Sequence, residues 1–250
     1  MNKVALITGG AKRVGRATAL TLAKAGMDIA FTWNKSEREA EMLVEEIQLM
    51  GRKVASIRVD NNQVDAIDIV VEGFTRHFGR LDALINNASC FEPSLMGKVT
   101  QERFDYDMAV NARVPLLLTQ AFSAMLAAHY SPEDPTSTGR VVNFVDTYIL
   151  GEPLREFVSY NASKAALLEI TNSCALELAP KITVNAIAPG VVAWSSYYTE
   201  EKKDEFLQRV PLARVGSLDE AATTVKFLVM DAHYCTGQTI QLDGGRHLTR

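Results

Sequence analysis

Tyr160 and Lys164 stand four residues apart in Tyr160-Asn161-Ala162-Ser163-Lys164. On a helix that spacing puts a phenol and an ammonium on one face. An ammonium nearby favours phenolate and lowers the tyrosine pKa toward a range useful for proton transfer. Taken alone such a pair is common. Its company here is a glycine turn at the start of the chain, Asn86-Asn87-Ala88, Asn111 and Pro189-Gly190, in that order.

The glycine turn is Thr8-Gly9-Gly10-Ala11-Lys12-Arg13-Val14-Gly15. Gly9 lets the chain turn tightly after a strand, and Gly15 lets the following helix approach the sheet. The helix N-terminus then presents free N–H groups and a positive dipole end to a pyrophosphate. Arg13 occupies the place where a third glycine completes the usual dinucleotide pattern. The next strand ends in Trp33-Asn34-Lys35-Ser36. An NAD site commonly has a carboxylate here for the ribose 2′-hydroxyl. Asn34, Lys35 and Ser36 repel no phosphate and can hold one, so the site reads as NADP(H)-binding. Ser36 can also cap the helix that follows. Asp60, in Val59-Asp60-Asn61, is placed either to accept from an adenine amino group or to cap a helix.

These groups need a frame. Apolar, β-branched runs at 4–8, 28–33, 54–60, 83–86, 140–145, 182–187 and 238–242 alternate with helical patterns. Several runs are almost wholly apolar, as in parallel strands buried on both faces. On the first helix Val14, Ala17, Thr18, Leu22 and Ala25 share a face, and Gly26 can end it. Ser36-Glu37-Arg38-Glu39 and Ser217-Leu218-Asp219-Glu220 read as capping boxes, and Gly51 can close the helix begun by the first. The alternation runs to the last residues without a linker or repeat. It predicts one α/β domain over 1–250, a doubly wound Rossmann-type parallel sheet with ligands at the carboxyl ends of its strands.

The 250 residues are 47% hydrophobic and 22% charged, enough for one large core. A net charge of −4 gives no bulk attraction to nucleic acid or anionic membrane. Cys90, Cys174 and Cys235 are scattered and odd in number, and the four histidines lack ligand spacing, so neither a metal site nor a disulfide framework is expected. The apolar run at the N-terminus is too short for a signal peptide, and Val114–Ala128 is too short to span a bilayer. A cytoplasmic protein is the expectation.

From end to end the chain resembles the short-chain dehydrogenases/reductases. The matching pieces are TGGAKRVG (8–15), NNAS (86–89), Asn111, YNASK (160–164), Pro189-Gly190 and LDGG (242–245). The resemblance implies a Rossmann fold and hydride transfer from a nicotinamide, with Tyr160 and Lys164 at the reaction centre. It makes Lys164 a ligand of the nicotinamide ribose and Asn111 the holder of a proton-relay water. It extends the cofactor contacts to Val14, Asn61, Asn87, Ala88 and Ser89.

Most of that superfamily places a serine after the fifth strand, bonded to a substrate carbonyl. Here Val142-Asn143-Phe144-Val145-Asp146-Thr147 puts Asp146 at that spot. An ionised carboxylate beside the phenol disfavours phenolate and keeps Tyr160 a proton donor. That suits reduction of a C=N bond better than alcohol oxidation. Thr147 lies thirteen residues before Tyr160, the expected interval, and is the alternative hydroxyl. Asp146 lies fourteen before, and the wording of the strand end favours it.

Arg13, Ser89, Phe91 and Asp146 together resemble the pteridine reductases, NADPH-dependent enzymes of pterins and sometimes folates. That resemblance implies a pterin sandwiched between nicotinamide and Phe91, with Arg13 reaching the pyrophosphate and the polar edge of the ring. It implies a homotetramer in which the C-terminal arginine, Arg250, enters a neighbour's site. One departure is Val191-Val192, where the family has a serine near the cofactor phosphate. A substrate lid is expected at about 191–215, carrying Trp194, Tyr197 and Tyr198. The competing enzymatic reading is a reductase of 3-oxoacyl thioesters or small ketones, with Thr147 as carbonyl donor. A non-catalytic NADP(H)-binding regulator is the other, and Tyr160, Lys164 and Asn111 together argue against it.

Overall fold

The structure, a computed structural model, describes residues 2–151, 153–195 and 197–249. Seven strands form one sheet: β1 (Val4–Ile7), β2 (Asp28–Trp33), β3 (Val54–Arg58), β4 (Ala83–Asn86), β5 (Gly139–Phe144), β6 (Ile182–Pro189) and β7 (Thr239–Leu242). Their order is β3-β2-β1-β4-β5-β6-β7, every pair parallel. The order reverses between β1 and β4, and this opens a crevice at their carboxyl ends.

The apolar strands alternate their side chains between two layers of helices. Ala5, Ile7, Ile29 and Phe31 pack toward α1 (Arg13–Lys24), α2 (Glu37–Leu49) and α8 (Leu218–Met230). Val4, Leu6, Ala30 and Leu84 pack toward α3 (Ala66–Thr75), α5 (Val114–Ala127) and α6 (Val158–Leu178). Two shorter helices are α4 (Gln101–Met108), whose Tyr106 lines the crevice, and α7 (Glu200–Gln208), whose Phe206 packs near Tyr198. Between α4 and α5 the chain widens into a π-helical turn, Ala109–Arg113, with Asn111 at its centre.

Each predicted strand is present, with ends moved by up to two residues. β1 stops at Ile7 because Thr8 is drawn into the glycine turn, and β6 runs on to Pro189 because β7 pairs with its end. The buried stripe of α1 is Gly15, Thr18, Ala19, Leu22 and Ala23, rotated from the predicted face because α8 covers this helix beside the sheet. The capping box at Ser217 forms, with reciprocal bonds to Glu220. The one predicted at Ser36 does not. Ser36 sits at the N-cap of α2 in a backbone conformation from which its hydroxyl caps nothing. Gly26 and Gly51 follow their helices with positive φ, as predicted. No described helix is long and apolar enough to cross a membrane.

Candidate active site

A cleft of about 560 Å³ opens at the carboxyl ends of the strands. Its floor at one end is the glycine turn. Gly9 has φ +64°, and a Cβ on it would lie 3.0 Å from the Ala88 Cα. A Cβ on Gly15 would lie 2.3 Å from the Gly9 carbonyl oxygen and 2.7 Å from the Asn87 amide nitrogen. No side chain fits there. Asn87 Nδ2 donates to the carbonyls of Thr8 (2.8 Å) and Gly9 (3.1 Å). The Thr8 hydroxyl accepts from the backbone N–H groups of Asn87 and Ala88. The turn is thereby welded to the end of β4. The N-cap of α1, Lys12, makes no side-chain cap bond, and its first turn carries no acidic residue. The result is a cradle of bare backbone at a helix N-terminus, which fits a pyrophosphate.

Arg13 opens α1 with φ +51°, unusual for a residue with a side chain. Its guanidinium crosses the cleft and donates to the carbonyls of Ala193 (2.7 Å) and Trp194 (3.3 Å). The arginine therefore clasps the segment after β6 to the phosphate turn. Val14, Pro189 and Gly190 line the same end of the cleft, and Val192 does so where a hydroxyl is missing.

Asn34, Lys35 and Ser36 line an adjoining hollow of about 260 Å³ together with Lys12. Lys35 is exposed and the Ser36 hydroxyl caps no helix, so both are available to an anion. Lys12 is paired with Glu39 at 2.8 Å. Asp60 and Asn61 line the main cleft. Asp60 caps no helix, since α3 begins after Asp65; one of its oxygens accepts from the Asn62 N–H instead.

At the other end of the cleft the Tyr160 hydroxyl donates to Asp146 Oδ2 at 2.5 Å. Asp146 Oδ1 accepts from the Tyr148 N–H at 2.9 Å. Thr147 points away: it is buried and donates to Asp243 Oδ2 at 3.0 Å. Asp146 lines the cleft and Thr147 does not. Lys164 is buried, and its ammonium donates to the Phe144 carbonyl at 2.6 Å.

Burial dominates the charges here. It pulls Lys164 down to about 8 and raises the Asp146 carboxyl. Tyr160 is raised well above its ordinary value, first by burial and then by the Asp146 carboxylate. The ammonium of Lys164 was expected to lower the phenol. It lies 5.9 Å from the ring centre and bonds a backbone carbonyl, so the nearer carboxylate wins. The Tyr160 hydroxyl proton lies in the hydrogen bond to Asp146, and losing it would leave two negative charges in contact.

Asn111 is fully engaged. Its Oδ1 accepts from the Ser89 hydroxyl and the Cys90 N–H, both at 3.0 Å. Its Nδ2 donates to the Ser163 hydroxyl (2.9 Å) and the Cys90 carbonyl (3.3 Å). The side chain thus clamps the loop after β4 to α6 from the centre of a π-helical turn, a feature frequent at functional sites. The Cys90 thiol donates to Asp107 Oδ1 at 2.9 Å. Asp107 is wholly buried and ion-paired with Arg103, which also reaches Glu92. Cys90 is held through its nitrogen, oxygen and sulfur, and burial pushes its thiol up to about 12. Its neighbours Ser89 and Phe91 both line the cleft.

Phe91 is half-buried, stacked on Phe157 with centroids 4.5 Å apart and edge-on to Tyr160 at 5.0 Å. Phe157, Tyr148, Asp107 and Asp243 were not singled out for this site from sequence, whereas Tyr198, expected on the lid, lines the cleft. The first is separated from Phe91 by 66 positions, and no local pattern joins them. Asp243 lay inside the LDGG match, and only the fold brings it to Thr147. Arg250 lies outside the described residues. Among the described residues, no group of three or more His, Cys, Asp or Glu is placed to hold a metal, and the three cysteines are free.

The family model described as Enoyl-(Acyl carrier protein) reductase matches residues 9–247. The chain belongs to the short-chain dehydrogenase/reductase family. This short-chain reductase is 34% identical to the 3-oxoacyl-(acyl-carrier-protein) reductase of Synechocystis sp. over 97% of its own length and 96% of the relative's. Among solved structures it is similar to FolM Alternative dihydrofolate reductase 1 from Brucella canis, complexed with NADP. There the TM-score is 0.89 at 32% identity, covering 100% of this chain and 95% of that one. It is also similar to the angucycline C-6 ketoreductase LanV with bound NADP, TM-score 0.89 at 28% identity, covering 98% and 96%. As a member of the family it is an NAD(P)-dependent oxidoreductase of small molecules, with a Rossmann-type single domain.

Proposed function

We propose that this protein is an NADPH-dependent reductase of pterin rings, acting on a dihydropterin, dihydromonapterin or dihydrofolate. One observation carries the reading. Where a carbonyl reductase needs a hydroxyl, the cleft presents Asp146 bonded to Tyr160, while the adjacent hydroxyl of Thr147 is engaged by Asp243. A phenol proton held against a carboxylate serves a basic ring nitrogen. It has little to offer a neutral ketone, which needs two neutral donors.

When bound, the nicotinamide supplies the hydride. The protein's own groups do the rest. The bare turn at Gly9, with Val14, Ala88 and the N-terminus of α1, holds the pyrophosphate, and Asn87 fixes that turn. Lys35 and Ser36 take the 2′-phosphate, and Asn34 leaves room for it. Asp60 and Asn61 border the adenine, and Pro189 and Gly190 the nicotinamide. Lys164 positions the ribose from the base of α6. Phe91, backed by Phe157, offers a flat apolar wall to a ring, and Ser89 stands beside it. Arg13 exchanges lid carbonyls for the pyrophosphate and the polar edge of the pterin. Tyr160 and Asp146 deliver the proton.

The segment 191–215 serves as the lid. Subunits assemble as a homotetramer, and Arg250 reaches a neighbouring site. The second reading, reduction of a 3-oxoacyl thioester, is favoured by the name of the Synechocystis relative, a 3-oxoacyl-(acyl-carrier-protein) reductase. It requires Thr147 to leave Asp243 and turn into the cleft.

Purified protein offered NADPH with dihydrobiopterin, dihydromonapterin, dihydrofolate and an acetoacetyl thioester in parallel tests the choice. Pterin-dependent oxidation of NADPH, crippled by Phe91→Ala with NADPH binding kept, is the expected result. Turnover of the thioester alone overturns it. Loss of turnover in Tyr160→Phe separates an enzyme from a mere binder.

A further inference from the structure

Past the Asp146–Tyr160 pair the cleft is lined by two more phenols, Tyr148 and Tyr198. Tyr148 belongs to the short turn after β5, and its N–H is held by the same carboxylate that holds Tyr160. Tyr198 comes from the segment leading into α7. Its ring is fixed against Trp194 at 4.9 Å and Phe206 at 6.2 Å. The two hydroxyl oxygens are 3.4 Å apart. A good O–H···O bond measures about 2.7–2.8 Å, so the contact is slack. A phenol donates one bond and accepts another. Neither hydroxyl has a second hydrogen-bond partner among the described residues, so each has capacity left in a half-enclosed place. Burial raises both phenols, so both stay neutral donors.

We propose that Tyr148 and Tyr198 form a side-chain subsite that selects pterins bearing a hydroxylated tail. The inference rests on the pterin reading above and goes beyond it to the tail. An apolar tail entering here would strip water from two hydroxyls and return nothing. A carboxylated tail would call for a free cation. Arg246 is the cation whose field reaches Tyr148, but it does not line the cleft: its Nη1 donates to the Thr249 carbonyl at 2.9 Å and its unpartnered Nε is buried. A tail hydroxyl both donates and accepts, as each phenol does. Inserted between them it replaces one slack contact by two good ones. The placement suits a substituent on the pterin ring, since the wall at Phe91 touches Tyr160 and Tyr148 follows Asp146 by two residues.

The experiment compares dihydromonapterin, whose tail is a polyol, with 6-methyldihydropterin, which has the same ring and no tail hydroxyl. The quantity read is the ratio of their kcat/KM values with NADPH. The wild-type ratio should favour the polyol by about tenfold or more, and Tyr148→Phe or Tyr198→Phe should each lower it by about fivefold, the loss of one hydrogen bond. The loss should appear in KM. Each variant removes a single oxygen, and circular dichroism checks its fold. An unchanged ratio in both variants overturns the subsite. So does a loss that falls on dihydrofolate, the carboxylated substrate, in place of the polyol. Failure of the wild type to oxidise NADPH with either pterin overturns the pterin reading itself, a result distinct from the other two.

Discussion

Asp146→Asn keeps the size of the side chain and its reach to Tyr148 and Tyr160, and deletes only the charge. The size of the effect follows from the contact. Taking the mean separation of carboxylate and phenolate charge as about 4 Å and an effective dielectric of about 20, their repulsion is about 4 kcal/mol. That corresponds to about three pK units on Tyr160. Solvent entering the open cleft screens part of it, so a fall of at least about one unit is the expected net change. The sign is fixed: a neighbouring anion raises the phenol, so its removal lowers it. In the wild type the proton-donating form should persist far into the alkaline range. In the variant the alkaline limb of kcat/KM should begin at least about one pH unit lower. Turnover at neutral pH should also drop roughly 10- to 100-fold, the worth of a hydrogen bond to a charged group. A profile from pH 6 to 10.5 of NADPH-dependent reduction, measured on both proteins, reads both effects. Superposed alkaline limbs would show that Asp146 does not govern the phenol.

Three further perturbations follow from the geometry. Gly15→Ala drives a Cβ into the Gly9 carbonyl, an overpacking of about 1–3 kcal/mol that should lower Tm by about 2–4 °C per kcal/mol and weaken NADPH binding more than tenfold; calorimetry and fluorescence titration check it, and an unchanged NADPH Kd refutes the cradle. Cys90→Ser preserves a donor to Asp107 and should keep the substrate KM, whereas Cys90→Val leaves the buried carboxylate one donor short, costs about 1–3 kcal/mol and should raise that KM; equal KM values for the two would remove the loop clamp. Lys164 titrates near 8 in the folded protein and near 10.5 in the unfolded chain, so the unfolded chain binds more protons between those values and stability rises with pH across that window. Lys164→Met removes the burial penalty of up to about 3 kcal/mol, so its stability advantage over the wild type should shrink from pH 8 to pH 10.5 in denaturant titrations, and a constant difference would contradict the depressed pKa.

The frame was legible because its signals are local. Runs of buried apolar residues mark strands, and Gly9, Gly15, Gly26 and Gly51 stand where only the backbone decides. Ser217 was legible for the same reason, with its partner Glu220 three residues away. Ser36 carries the same local pattern and fails, because the residues leaving β2 hold it off the capping geometry. The choice between Asp146 and Thr147 could not be made by counting. It is made by Asp243, nearly a hundred residues away, which draws the threonine out of the cleft. The pKa of Tyr160 was read with two opposed neighbours and no distances. The structure gives the carboxylate direct contact and sends the ammonium to Phe144. Arg13 was legible as a cation of the phosphate turn, and it lines the cleft, but its hold on Ala193 and Trp194 depends on where the chain returns after β6.

The glycine turn has a further consequence for how the chain acquires its site. A fragment covering residues 1–75 would contain the entire first strand–helix–strand–helix–strand unit, with every glycine of the turn. It would keep the bonds from the Gly9 and Gly10 N–H groups to Thr32 but lack Asn87 and Ala88, whose donors hold the Thr8 hydroxyl and the carbonyls of Thr8 and Gly9. The turn is therefore not a detachable module. During synthesis the nucleotide cradle lacks this part of its bracing until β4 has emerged and paired beside β1, a pairing of distant segments that raises contact order and slows folding. Cofactor in the surroundings then acts as a late selector. It binds chains that have completed the sheet's central seam more tightly than chains that end before β4.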